Sequence, residues 1–232
     1  MAAPSPESAT VTVLGAEDTS FVCSMPSTRP DGDLYLVCVV HSLATAITPP
    51  EELTVVEDVI YSGGTHAMWV GRREGSSEPS SYTFTVDPDD EEFAAVVLRV
   101  SGHDSDAPIN ASSSAEGASA TPTCPDITTD VDNCLLVGFT GSDGPRGTTP
   151  YEPSGYDARA QQNSSGGGTL AVVVQCATKV LESAGSSGTA AFAISTGDQW
   201  VAMHLAIAPA VTATAHWSVA MAQHIRRRRL LV

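Results

Sequence analysis

The sequence predicts an all-β fold, an antiparallel β-sandwich of jelly-roll-like type, followed by a C-terminal extension. Three observations predict it. The apolar residues fall in short runs, and Gly, Pro, Ser and Asp clusters separate those runs. The polar remainder is Ser, Thr, Gly, Ala and Pro rather than Lys and Glu. That composition favours strands and turns over surface helices. With 42% hydrophobic residues in a chain of 232, there is enough apolar material for a core.

Taken in order, the first set of runs is Thr10 to Leu14, Leu34 to Val40, Ala67 to Val70, Tyr82 to Val86 and Phe93 to Val100. The second set is Cys134 to Phe139, Leu170 to Cys176, Ala190 to Ile194 and Trp200 to Ala208. Their length is that of strands, and Val, Leu and Phe dominate them. Tyr82, Phe84 and Val86 alternate with Thr83 and Thr85, which sends one face to a core and the other to water. The breakers PDGD, SGG, DPDD, GSDG and SSGGG stand between runs, where turns are needed. The Ser/Ala-rich stretch 103–131 reads as a joining loop with one edge strand near Cys124 to Thr128. The last segment, 209–232, is mildly apolar without clear periodicity and ends RRRRLLV.

The runs repeat. DLYLVCVV at 33–40 matches NCLLVGFT at 133–140, setting Leu36 and Val37 against Leu136 and Val137. TPPE at 48–51 matches TPYE at 149–152, and YTFTV at 82–86 matches AAFAI at 190–194. FAAVVLRV at 93–100 matches WVAMHLAI at 200–207, pairing Phe93 with Trp200 and Leu98 with Leu205. The drifting offset is that of kept strands and changing loops. The expectation is an internal duplication, with pseudo-repeats at about 10–102 and 124–208 forming one sandwich over 1–208. A lone sheet of four or five strands leaves an apolar face bare, and facing the two halves buries both.

The blocks GDLYLVCVV, EPSSYTFTV, FAAVVLRVSGHDSDAPIN, CLLVGFTGSDG and QWVAMHLAIAP, in this order over about residues 10–209, resemble a family of jelly-roll-like β-sandwich proteins encoded among the structural genes of tailed phages and prophages. The resemblance implies a non-enzymatic virion component, assembled in the host cytoplasm: a capsid decoration or minor capsid protein, or else a tail fibre or appendage module that binds a host receptor or glycan. Two departures stand out. Glu51-Glu52-Leu53 replaces the aromatic expected after the TPP turn, and the Arg-rich terminus lies outside the shared blocks.

The formal charge of −16 includes the four arginines of 226–229, so the remainder carries −20, with Lys179 its only lysine. Such a body repels nucleic acid and anionic membrane at range, so neither is an expected partner. An acidic surface also keeps crowded copies soluble, in keeping with a homo-oligomer or multi-copy particle protein. The five cysteines are odd in number and show no CxxC spacing; they read as reduced core residues. The start MAAPSPESATVTV has neither basic nor apolar leader character, and no apolar stretch is long enough to span a bilayer.

No GxSxG, HExxH, P-loop or GxGxxG motif is present, and no catalytic residue, metal or cofactor is expected. His41, His103 and His204 lie at or near strand ends and read as surface or satisfied-core histidines. Asp87, Asp89, Asp90, Glu91 and Glu92 read as a solvated turn rather than a calcium site, and Asp104 and Asp106 as turn-formers whose carboxylates accept backbone N–H bonds. Trp69 reads as core; Tyr151 and Tyr156, in a Pro/Gly-rich loop, are the candidates for exposed glycan contact. The sharpest feature is Arg226, Arg227, Arg228 and Arg229 followed by Leu230 and Leu231. Adjacent guanidiniums beside leucines fit an acidic, partly apolar protein partner, and they mark 209–232 as an anchoring tail to other virion proteins.

Overall fold

A computed structural model describes residues 1–14, 20–42, 46–86, 92–164 and 170–211. These residues form an all-β sandwich. The first half contributes β1 (Ser5–Leu14), β2 (Ser20–Ser24), β3 (Leu34–Ser42), β4 (Ile47–Thr48), β5 (Thr54–Ile60), β6 (His66–Glu74), β7 (Ser81–Val86) and β8 (Phe93–Ser101). The second contributes β9 (Ile109–Ser119), β10 (Thr123–Cys124), β11 (Thr128–Thr129), β12 (Cys134–Asp143), β13 (Asp157–Asn163), β14 (Val172–Leu181), β15 (Gly185–Ser186), β16 (Ala190–Ala191) and β17 (Asp198–Ile207).

Two five-stranded antiparallel sheets, ordered β1-β8-β3-β6-β5 and β13-β14-β12-β17-β9, lie face to face, with β1 over β13 and β8 over β14. Between them Leu34, Leu36, Cys38 and Val40 meet Leu135, Val137, Phe139 and Cys176 in one core. Each sheet also carries a cover on its outer face. Tyr35, Val37, Val39 and Trp69 pack under the sheet β2-β7-β4. Leu136, Ala202 and Ala206 pack under Cys124, Ile127, Tyr151, Tyr156 and Phe192. This layering explains the unbroken apolar runs in the sequence: every residue of Leu34–Ser42 is buried, because period-two alternation sends half to the shared core and half to a cover.

The two large sheets have the same strand order when β1, β8, β3, β6 and β5 are set against β9, β17, β12, β14 and β13. Their irregularities coincide too. Glu7 bulges from β1 opposite Arg99 and Val100; Asn110 bulges from β9 opposite Ala206 and Ile207. Val56 bulges from β5 opposite Val70 and Gly71; Arg159 bulges from β13 opposite Cys176 and Ala177. Phe93 and Trp200, Leu98 and Leu205, and Phe84 and Phe192 hold corresponding positions. The match of Leu36 with Leu136 is off by one. Leu36 pairs with Leu98 as Val137 pairs with Leu205, all four facing the shared core, whereas Leu136 faces outward. A one-residue slip exchanges the two faces of a strand, and apolar residues on both faces hide it from sequence.

Several expectations need correction. The stretch 103–131 is not mainly loop: β9 is an eleven-residue edge strand, and β10 and β11 follow it. Its Ser and Ala residues carry little apolar signal, yet Ala111 and Ala115 pack under the second cover, and Gly117 leaves room for the Trp200 ring. Strands β2, β5 and β13 lie outside the runs singled out, and of Ala190 to Ile194 only Ala190–Ala191 is strand. Chain 208–210 is clamped to the β8–β9 connection, where Asp104 N donates to Ala208 O and Ala210 N to Gly102 O, both at 2.9 Å.

Candidate functional site

Tyr151 and Tyr156 are not exposed. They are 7% and 9% accessible, and both belong to the second cover. The Tyr151 hydroxyl donates to Cys176 O at 3.2 Å, and the Tyr156 hydroxyl lies 3.0 Å from His204 Nε2. Burial pushes the Tyr151 phenol up to about 12 and raises that of Tyr156 as well. Neither ring is free to stack on a sugar. The turn 151–156 is drawn inward because Tyr156 N donates to Pro153 O, which aims the ring at the sheet. Arg226 to Arg229, Leu230 and Leu231 lie outside the described residues, as do Asp87, Asp89, Asp90 and Glu91.

His204 sits in the middle of β17 rather than near its end, wholly buried on the outer face. Its Nδ1 lies 2.8 Å from Pro125 O, so the proton belongs on Nδ1 and Nε2 accepts from Tyr156. Burial lowers its pKa, favouring the neutral ring. Ser187 Oγ is 3.1 Å from Asp126 Oδ1 and 3.5 Å from His204 Nδ1. The order of groups suggests a nucleophile, yet the nitrogen facing Ser187 carries the proton given to Pro125 and cannot act as its base. Beside it Thr140 Oγ1 donates to Gln175 Oε1 at 2.8 Å, and Gln175 Nε2 donates to Gln161 Oε1 and Ala193 O, each at 2.8 Å. Sequence reasoning missed this network, since Gln and Thr inside an apolar run look like solvent-facing positions.

The first cover holds a buried ion pair instead. The Glu78 side chain is fully buried; Arg73 Nε reaches it at 2.5 Å, Ser76 N donates to it at 3.1 Å, and the Tyr82 hydroxyl donates to its other oxygen. Glu92, the described member of the acidic turn, is 6% accessible and accepts from Ser164 Oγ at 2.5 Å, joining the two halves. Asp104 is a turn-former, its Oδ1 accepting from Asp106 N at 2.9 Å. His41 and His103 are buried. Cys23, Cys38, Cys124, Cys134 and Cys176 are free and buried, and burial raises each thiol, which holds them as unreactive thiols.

A third group lies at the end of the sandwich where β5, β9 and β17 meet. Tyr61 stacks on His66 with centroids 5.2 Å apart and planes 18° apart. Thr65 Oγ1 lies 3.0 Å from His66 Nδ1 and donates to Gln199 Oε1 at 2.5 Å, while Ser62 N donates to Glu116 Oε2 at 2.7 Å. Arg146 Nε meets Asp198 Oδ2 at 2.9 Å beside Gln199. Burial lowers the His66 pKa to about 4, so the ring backing Tyr61 is uncharged at neutral pH. Nothing in the sequence singled out Tyr61, which stands alone before the SGG turn.

No family model, no curated protein and no solved structure matches this chain.

Proposed function

We propose that the protein is a non-enzymatic structural component of a virus particle, a capsid decoration or minor capsid protein acting through its exterior and its C-terminal segment. The supporting observation is where the reactive side chains go. His204, Tyr151, Tyr156, Glu78 and the five cysteines are buried in covers and cores, and the histidine, tyrosines and glutamate use their polar atoms in fixed hydrogen bonds. What remains for recognition is the outside of an acidic body and the basic run Arg226 to Arg229. In this reading the tail engages an acidic, partly apolar surface of a neighbouring particle protein, with many copies per particle in the host cytoplasm where particles assemble.

We further infer that the two halves are copies of one jelly-roll-like unit. The antiparallel pairs β1–β8, β2–β7 and β3–β6 are nested, as in one long hairpin rolled into two layers, and β9–β17, β10–β16 and β12–β14 repeat them. The coincident bulges support the same inference, since a bulge is a conserved local design rather than an accident of packing.

The test is deletion of residues 226–232. The truncated protein should keep its circular dichroism spectrum and melting temperature and fail to copurify with particles. Particles that take it up at the full-length level would refute the anchor.

A further inference from the structure

We propose that Tyr61 is a stacking platform for a neutral hexopyranose, with Glu116 and Gln199 as its hydrogen-bonding rim. The strand-end pair breaks the correspondence between halves. Tyr61 N donates to His66 O at 3.1 Å as Ser164 N donates to Val172 O at 2.8 Å, so a tyrosine and a histidine occupy positions held in the other half by serine and valine. Ser164 turns inward to Glu92, whereas Tyr61 remains partly exposed. Three features fix the ring. His66 backs it at 5.2 Å, β5 packs its base against the shared core, and Gly63 has no side chain where a Cβ would strike the ring edge.

A fixed, partly exposed aromatic ring suits the C–H face of a pyranose, and planar carboxylate and amide groups held by its chain neighbours Ser62 and Thr65 suit paired sugar hydroxyls. Both partners are in place. Glu116 is exposed and its pKa is lowered by the hydrogen bonds from Ser62, so it stays a carboxylate acceptor. Gln199 has its oxygen engaged by Thr65, leaving its amide N–H groups as donors at the rim. The sign of the site selects the ligand. Asp198 is neutralised by its pair with Arg146, so Glu116 sets the sign of the rim on a chain of charge −16, which disfavours sialic and uronic acids relative to neutral hexoses. The inference does not depend on the particle setting, because binding is measured on the isolated chain and tail anchoring on particles.

The experiment is an array of glucose-, galactose- and mannose-terminated oligosaccharides, with sialylated ones as counter-probes, read with the full chain and three variants. Tyr61→Ala should weaken the neutral hits at least about tenfold, Tyr61→Phe should keep them within about threefold, and Gln199→Ala should weaken them by several-fold. If Tyr61→Ala does not fold, as judged by its melting curve, Gln199→Ala and Tyr61→Phe decide the matter. Absence of any neutral hit, a preference for the sialylated probes, or hits indifferent to Tyr61→Ala and Gln199→Ala would each overturn the proposal.

Discussion

The two covers sit at corresponding places on corresponding sheets and are sealed by opposite chemistry. At four matched positions the first has Val39, Leu53, Trp69 and Val97, all buried and apolar; the second has Thr140, Tyr156, Gln175 and His204, buried and joined by hydrogen bonds. Leu53 and Tyr156 even enter by the same turn, each N–H donating to the oxygen of the proline three residues earlier. The backbone follows suit. The first cover satisfies its N–H and C=O groups in a three-stranded ladder, β2-β7-β4. Among the described residues the second has two-residue ladders and single backbone bonds such as Phe192 N to Pro122 O. Side chains add to them: Asp126 Oδ1 accepts from Gly188 N, Ser187 Oγ from Ile127 N, and Asn163 Oδ1 from Gly147 N. Strand topology thus fixes where a cover must lie, not how it is held. Buried polar groups are tolerated wherever every one finds a partner.

The first cover's exception is Glu78, and its removal should have the largest effect. Glu78→Ala leaves Arg73 and the Tyr82 hydroxyl facing a buried gap, and breaking one partner of such a pair costs about 3–5 kcal/mol. Thermal unfolding would show a fall of roughly 10 °C for a chain of this size. A change under about 1 kcal/mol would mean that apolar packing and the ladder alone hold the first cover, and the contrast with the second would be sharper than drawn.

Most of the fold was legible because a strand buried on both faces writes itself as an unbroken apolar run: Leu34 to Val40 and Phe93 to Val100 are all strand, and Trp200 to Ala208 is strand as far as Ile207. Of the four edge strands of the two large sheets only β1 was legible, through Thr10 to Leu14. β5, β9 and β13 carry Glu57, Ser112, Ser114, Gln161 and Gln162, whose polarity mimics loop, and only the ladders to their neighbours make them strands. The candidate sites were harder still. Tyr151 and Tyr156 lie among Pro and Gly, a pattern of exposed loops, but the Ala-rich outer face of the second sheet leaves space that only large side chains fill. At Gly138 an added Cβ would meet the Phe192 ring and Cys124 Sγ; the matching residue in the first half is Val37. The small residues of one layer specify the large residues of the next, and that is a contact property no single run displays.

A smaller effect should follow Tyr156→Phe. The ring still fills its place, but His204 Nε2 loses its donor in a buried setting, at about 1–2 kcal/mol. Chemical denaturation would measure it. The matched change in the first cover, Leu53→Met, removes no hydrogen bond and should stay within about 1 kcal/mol. Equal losses at the two positions would show that packing, not hydrogen bonding, governs both covers.

The finest discriminator is pH. Burial lowers the His204 pKa in the folded chain, so the unfolded chain binds a proton more readily. Its contribution is therefore complete above about pH 6.5, the ordinary histidine value, and is lost as pH falls toward the folded pKa. His66, lowered to about 4, acts in the same direction, while burial raises the carboxyls of Asp33, Asp58 and Asp143 and so favours folding as they protonate. Only a difference between variants isolates the second cover. Between pH 7 and 5, His204→Gln should lose less stability than the parent, whatever its absolute cost, because its side chain does not titrate. The first cover offers no such handle at the matched Val97, and Val97→Ala should shift the whole stability curve without changing its slope. Parallel pH profiles for the parent and His204→Gln would place the pH sensitivity elsewhere in the chain and remove titration from what distinguishes the two covers.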